Sequence, residues 1–343
     1  MSRLHNAFTL FISLLVEAIP FLLLGVLLSS FLLLLVDEKK LIPKFPQNPI
    51  LGALVGSCIG FLFPVCECGN VPVARRLLLK GVSPAVAIAF LLAAPTINPV
   101  VIWSTWVAFN GQPQIVLLRI VFSLVIAVVI GCLFSVQKDA RELLQPRLVK
   151  RLNFLINNQE KSQLLEPEKE EISPLLQSGT FLLGESSQPL NIEQSSLATS
   201  SNLKGQKKSK QQWQKFINNV IQELQELGGV LVIGSAIAAI IQVFVPREIV
   251  FSLGQDNLTS ILAMMLLAAI VSICSTVDSF FALSFVSTFT SGSILAFLVF
   301  GPTIDIKALG LMLSIFKPKV IIYLFTIIAQ MVFMMTFIYS YFF

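Results

Sequence analysis

Long apolar stretches separated by short polar breaks fill most of the chain. A helix that crosses a bilayer needs about 20 apolar residues. Phe8–Val36 meets this, interrupted only by Glu17 and Pro20. Pro49–Phe63 is shorter and rich in glycine, Val82–Phe109 carries Pro84, Pro95 and Pro99, and Ile115–Val136 holds a single charge, Arg119. After a polar interval the pattern resumes with Gly228–Val245, Leu258–Ser275, Val277–Phe300 and Val320–Phe343. The pattern predicts an all-α polytopic membrane protein of about 8–10 membrane helices, some of them broken at proline. No small-residue cleavage site follows the first apolar stretch, so it is expected to be a retained span.

Composition agrees. Of 343 residues, 55% are hydrophobic and 13% charged, against about 25% charged in soluble domains. Much of the charge falls between Lys138 and Lys215. Residues 137–214 have no apolar periodicity, and a segment so polar buries too little to offset its ordering entropy. It is expected to be a flexible linker between a first transmembrane repeat, 1–136, and a second, 215–343. Its ends are basic, with Lys138, Arg141, Arg147, Lys150 and Arg151 at one and Lys204, Lys207, Lys208, Lys210 and Lys215 at the other. Lysine and arginine beside spans favour the cytoplasmic side, which predicts a cytoplasmic linker in a cell (inner or plasma) membrane protein. The basic ends lack interleaved aromatics, so no nucleic-acid partner is expected.

The two apolar halves resemble each other. Ala89–Asn98, "AFLLAAPTIN", and Ala296–Asp305, "AFLVFGPTID", share six of ten positions. Cys66 precedes Pro95 by 29 residues, and Cys274 precedes Pro302 by 28. Glu17 and Glu226 stand near the start of the first span of each half. Lys307, Lys317 and Lys319 precede the last span, while the equivalent first-half turn, "NGQPQ", is uncharged. Equivalent turns then lie on opposite faces, which predicts an inverted repeat with substrate held near the midplane at discontinuous helices.

Chemistry concentrates at "FPVCECGNVPVARRLLLKG", residues 63–81. Pro64, Gly69 and Pro72 disfavour a regular helix. In extended chain Cys66 and Cys68 would point to one side, two thiols suited to a soft solute such as a trivalent arsenical or Cu(I). Cysteine as a small packing residue is the rival reading. Glu67, Arg75, Arg76, Asp278 and Asp305 lie in or beside apolar stretches, where charge is costly and usually faces a partner or a cavity. For Arg75, Arg76 and Lys80 the competing expectation is interfacial anchoring. Cys274 and Asp278, four apart, would share a helix face. Asn98 and Asp305 each follow Pro-Thr-Ile. Pro64, Pro72, Pro95, Pro99 and Pro302 are the expected helix breaks, with Thr96 and Thr303 beside them. Gly52, Gly56 and Gly60, every fourth residue, read as a close helix contact. The substrate-binding candidates are Cys66, Glu67, Cys68, Asn98, Cys274, Asp278 and Asp305. There is no phosphate-binding loop and no H-E-x-x-H, and His5 is the only histidine; no catalytic residue, metal or cofactor is expected.

Residues 63–101, with "CSTVDSFFALSF" and "AFLVFGPTIDIKALGLML" in the second half, resemble the two signatures of the predicted permeases that include the methylarsenite-efflux type. The resemblance implies a permease exporting a small, thiophilic solute by alternating access, with Cys66 and Cys68 in the matching motif. Its partners would be a small-molecule or ion substrate and the bilayer, and a homo-oligomer is compatible with it. A thiol-based transmembrane redox carrier and a non-transporting membrane scaffold are the alternatives.

Overall fold

The computed structural model describes residues 2–35, 46, 48–63, 66–135, 143–146, 148–150, 203–244, 257–286 and 288–342. It divides into two compact units, Met1–Pro146 with Val220–Phe343, and Arg147–Asn219. The second unit carries the helical residues 148–150 and the opening of a long helix from Leu203. Most of the predicted linker lies outside the described residues.

Helices run in two sets of six among the described residues. The first set is α1 (Ser2–Leu35), α2 (Pro49–Leu62), α3 (Glu67–Leu79), α4 (Pro84–Ala93), α5 (Pro99–Ala108) and α6 (Pro113–Ser135). The second is α7 (Leu203–Phe244), α8 (Asn257–Val271), α9 (Asp278–Leu283), α10 (Ser291–Phe300), α11 (Ile306–Leu313) and α12 (Pro318–Phe342). Proline opens α2, α4, α5, α6 and α12, where its missing N–H costs nothing and its fixed φ suits the first turn. Among the described residues four helices are long and apolar enough to cross a membrane, over Leu4–Phe31, Pro113–Ser135, Phe216–Val243 and Pro318–Phe342, and α2, α4, α5, α8 and α10 are shorter apolar helices. Among the described residues the strand-like contact is an isolated bridge between Leu144 and Phe316. The fold is an all-α polytopic membrane protein.

The two sets repeat down to single hydrogen bonds. Ala94 N donates to Phe90 O at 2.9 Å, and Gly301 N to Phe297 O at 3.0 Å. Thr96 Oγ1 donates to Leu92 O and Ala93 O, and Thr303 Oγ1 to Val299 O and Phe300 O. Asn98 then caps α5 by accepting from Val101 N, and Asp305 caps α11 by accepting from Ala308 N. The breaks expected at Pro95, Pro99 and Pro302 are therefore present, one between α4 and α5 and its counterpart between α10 and α11. Packing is reciprocal as well: α3 meets α11, and their counterparts α9 and α5 meet each other.

The repeats run in opposite senses. Gln145 N donates to Ile315 O at 2.8 Å and Lys317 N to Leu143 O at 3.0 Å. Residues 136–142 reach at most about 29 Å fully extended, whereas α6 is about 34 Å long. The end of α6 and the start of α12 must then share one end of the molecule, here called the linker end. Since α6 and α12 are counterparts and pack together, the halves are inverted.

Two expectations need correction. Pro72 does not break the chain: α3 runs through it from Glu67 to Leu79. The proline removes only the bond its N–H would have made to the Cys68 carbonyl, and the buried neighbours hold the rest of the turn. Cys68 is accordingly helical, whereas Cys66, with φ of −77° and ψ of 178°, is extended. Pro64 lies outside the described residues. The glycine repeat serves packing, as expected: a Cβ on Gly56 would stand 2.3 Å from Val86 O, so α2 and α4 touch backbone to backbone. Gly25 does the same for α1 and α3, with a Cβ there 2.2 Å from Gly69 O.

Candidate functional site

Cys66 and Cys274 open equivalent turns in the two halves. The Cys66 carbonyl accepts from Gly69 N at 3.1 Å and Asn70 N at 3.2 Å, and that of Cys274 from Val277 N at 2.9 Å and Asp278 N at 3.0 Å. Ser272, two residues before Cys274, has a φ of 46°, a left-handed conformation that costs a non-glycine residue free energy. Its hydroxyl accepts from Ile306 N at 3.2 Å, which ties this uncoiled segment to the start of α11. The result brings sulfur from both halves near each other: the Cys66 thiol is close enough to Cys274 and Cys68 to interact with them. All three side chains are buried.

Charge surrounds the thiols. Glu67 occupies the first turn of α3 and Asp305 caps α11, both at helix N-termini, where the helix dipole favours a carboxylate. Lys307 Nζ stands 3.9 Å from Glu67 Oε1 and 4.0 Å from Asp305 Oδ2, close enough for charge attraction and longer than a hydrogen bond. Glu67, Asp305 and Lys307 are all buried. Glu67 Oε2 and Asp305 Oδ2 have no hydrogen-bond partner among the described residues. Buried polar oxygens are normally satisfied, and these two carboxylate oxygens are among the exceptions in this structure.

Two further ionic groups join the halves. Arg119 of α6, 1% exposed, forms a fork on Asp278, with Nη2 to Oδ2 at 2.8 Å and Nη1 to Oδ1 at 3.2 Å. The same Nη1 donates to Thr105 Oγ1 and Ser279 Oγ, each at 2.8 Å. On α3, Arg75 Nη2 lies 3.0 Å from Glu226 Oε2, and Arg76 Nη2 lies 3.4 Å from Glu223 Oε1. Glu223 also accepts from Ser29 Oγ at 3.0 Å. Arg75, Arg76 and Lys80 are buried in protein, which departs from the interfacial-anchor expectation, and the charges of Arg75 and Arg76 are met by α7.

Of the residues picked from sequence, Cys66, Glu67, Cys68, Cys274 and Asp305 come together. Asn98 does not join them; it caps α5 and donates through Nδ2 to Ala94 O at 3.0 Å. Asp278 sits one turn from Cys274 but spends its carboxylate on Arg119. Lys307 and Arg119 were not picked, although a lysine two residues after Asp305 and a lone arginine inside an apolar span were both visible. Among the described residues no three His, Cys, Asp or Glu side chains are set as a ready metal cage. An open apolar groove of about 920 Å³ lies between α1 and α7, lined by residues such as Phe8, Phe11 and Ala239; it contains none of the clustered charges or thiols, and its chemistry suits hydrocarbon.

An inverted pair of helical repeats, broken helices at its centre and buried charge between the halves define a multi-pass membrane protein of the transporter class. The chain matches the family model described as "Predicted permease" over residues 3–341, and it belongs to that family. It is 37% identical over 325 residues to the UPF0718 protein YcgR of Bacillus subtilis, covering 94% of this chain and 93% of the relative. A Streptococcus mutans relative, 33% identical over 321 residues and 94% and 90% of the two chains, is named for a proposed place as a subunit of a two-component membrane permease complex. The UPF0718 protein YraQ of Escherichia coli is 30% identical over 119 residues, 35% of this chain and 33% of that protein. No solved structure shows significant similarity. The protein is a permease-family member of the cell membrane.

Proposed function

We propose that the protein carries a small, soft solute across the membrane by alternating access, and that Cys66, Cys68, Cys274, Glu67, Asp305 and Lys307 hold it. One observation carries this reading: Cys66 and Cys274, counterparts in opposite halves, lie near each other in a buried place beside carboxylate oxygens that make no hydrogen bond. Thiols favour thiophilic centres, and acceptor oxygens favour cations or donors over oxyanions. A trivalent arsenical bearing hydroxyl groups, or Cu(I), fits both demands. Glu67 and Asp305 are the groups we assign to proton coupling, and export is the direction we assign. The basic residues flanking 137–214 support a cytoplasmic linker. Since the S. mutans relative is named as a complex subunit, a second membrane subunit is a natural partner.

The test is export of trivalent arsenicals and copper from cells that express the wild type, Cys66→Ser/Cys68→Ser or Cys274→Ser. Each thiol variant is expected to slow export of the carried solute. Equal export in all three strains would remove the cysteines from the mechanism.

A further inference from the structure

One face of α7 is uncovered among the described residues, and part of it is polar at membrane depth. On its inner side α7 buries Leu227, Leu231 and Ala238. On the other side Gln225, Gly229, Ile233 and Ile240 are exposed, with Ala236 partly exposed between them. These five stand at i, i+4, i+8, i+11 and i+15, within about 80° of one another around the helix. Glu226 borders this stripe. Its side chain is 44% exposed, although Arg75 holds Oε2.

The contacts of α7 with α1 give the depth of the polar pair. Ser29 donates to Glu223, and Leu14 packs with Ala238 and Ala239, so the two helices run antiparallel. Ser29 precedes the end of α1 at Leu35 by six residues, roughly 9 Å. Glu226 lies three residues beyond Glu223, roughly 4.5 Å farther from that end of α1. Exposed apolar side chains, Phe31 of α1 and Ile221 of α7, stand nearer that end than Gln225 and Glu226 do. Both polar residues also fall inside the apolar span Phe216–Val243. Hydrocarbon offers such groups no hydrogen bond, and they normally face protein. The first half shows what lipid accepts. Counting from the matched Glu17 and Glu226, the place of Gln225 is held in α1 by Val16, which is exposed.

The rest of the stripe suits close packing. A Cβ on Gly228 or Gly229 would meet nothing within 4 Å, so this surface is open to another backbone. Farther along, Ala236, Ala239 and Ile240 form one wall of the apolar groove of about 920 Å³, with Leu4, Phe8 and Phe11 of α1 as the other.

We infer that α7 is the seam of a dimer: a second copy of this chain lays its own α7 along this face, in parallel, about a twofold axis normal to the membrane. Such an axis keeps every residue at its own depth, so the same patch meets itself. Gln225 then faces Gln225 of the other copy, and a carboxamide both donates and accepts. Glu226 Oε1 is a further acceptor for the same amides. Gly229 lets the backbones approach. Ile233 and Ile237, exposed and level with the groove, bring apolar bulk to the groove of the other copy. The seam concerns assembly and is independent of the solute.

Disulfide trapping of the full chain in cell membranes tests this. Cys58 and Cys132 are replaced by serine. One cysteine is then placed on α7, as Gly229→Cys or Ile233→Cys, or at an exposed position of another helix, as Val121→Cys or Ile322→Cys. Two differently tagged forms of each variant are co-expressed and oxidised with copper phenanthroline. The α7 variants are expected to give a linked species of twice the chain's mass that carries both tags, and the other two are not. Gly229→Ile, which the single chain accommodates because a Cβ there meets nothing, is expected to lower co-purification of the two tags about tenfold. Gln225→Leu is expected to lower it roughly three- to tenfold. No species with both tags, or an equal yield from Val121→Cys or Ile322→Cys, overturns the seam. So does undiminished co-purification of Gly229→Ile. Linkage of the α7 cysteines only to a different protein would assign this face to another subunit and overturn the second copy.

Discussion

The Cys66 and Cys274 thiols are close enough to interact, although they come from opposite halves of the chain and each opens the same kind of turn. Their meeting fixes how the halves are registered. With a protease site inserted between Gln159 and Gly205, mild oxidation is expected to hold the two fragments together on a non-reducing gel. Cys66→Ser or Cys274→Ser should each release them, while Cys58→Ser should not. Fragments that separate in oxidised wild type would refute the convergence.

Breaking the Arg119–Asp278 pair from one side strands a buried charge. Arg119→Ala is expected to cost about 3–5 kcal/mol, read as a lowered thermal unfolding midpoint in detergent. Replacing both residues, Arg119→Met/Asp278→Leu, should cost less than the single change, because no unpaired charge remains. A double variant less stable than Arg119→Ala would show that the charges stabilise the fold outright.

Asp305 has two roles that substitution can separate. Asp305→Asn keeps an oxygen for the α11 cap and removes the charge beside Lys307. Asp305→Ala loses the cap as well, at about 1 kcal/mol. The expected pattern is reduced solute export in both and a lower midpoint only in the alanine variant. Full export by Asp305→Asn would exclude the charge from transport.

The α1–α3 contact admits no side chain at Gly25. Gly25→Ala must push α1 away from the Gly69 backbone and is expected to cost about 1–3 kcal/mol. Gly111→Ala, where a Cβ would meet nothing within 4 Å, should leave the midpoint nearly unchanged. Similar midpoints for the two variants would mean that α1 is not seated on α3.

Much of the architecture was legible because membrane burial writes itself into hydropathy. The breaks at Pro95, Pro99 and Pro302 were readable because proline lacks a donor wherever it stands. Pro72 misled for the same reason: the sequence shows the lost bond to the Cys68 carbonyl but not the packing of α3 that tolerates the loss. The second half of the permease reading came from the matched Pro-Thr-Ile, and the hydrogen bonds around Thr96 and Thr303 give that match its physical content. Partner choice was not legible. Asp278 looked like a companion of Cys274 by helical spacing, but Arg119 reaches it from a different helix. Lys307 stood in the sequence only as a charge preceding the last span, because Glu67, its neighbour in space, comes from an element far away in sequence. Asn98 and Asp305 matched in position and in capping, yet only Asp305 has a cation two residues on, within 4.0 Å.

That last difference separates a fused duplication from a pair of identical subunits. Two identical copies would have to bring every central group in duplicate, so a lysine at one mouth would face a lysine at the other. Here the position equivalent to Lys307 is Val100 and that equivalent to Asp305 is Asn98. One chain can therefore keep twofold architecture while placing this lysine and carboxylate on one side of its middle only. Such lopsidedness gives the centre a direction that two identical subunits could not have.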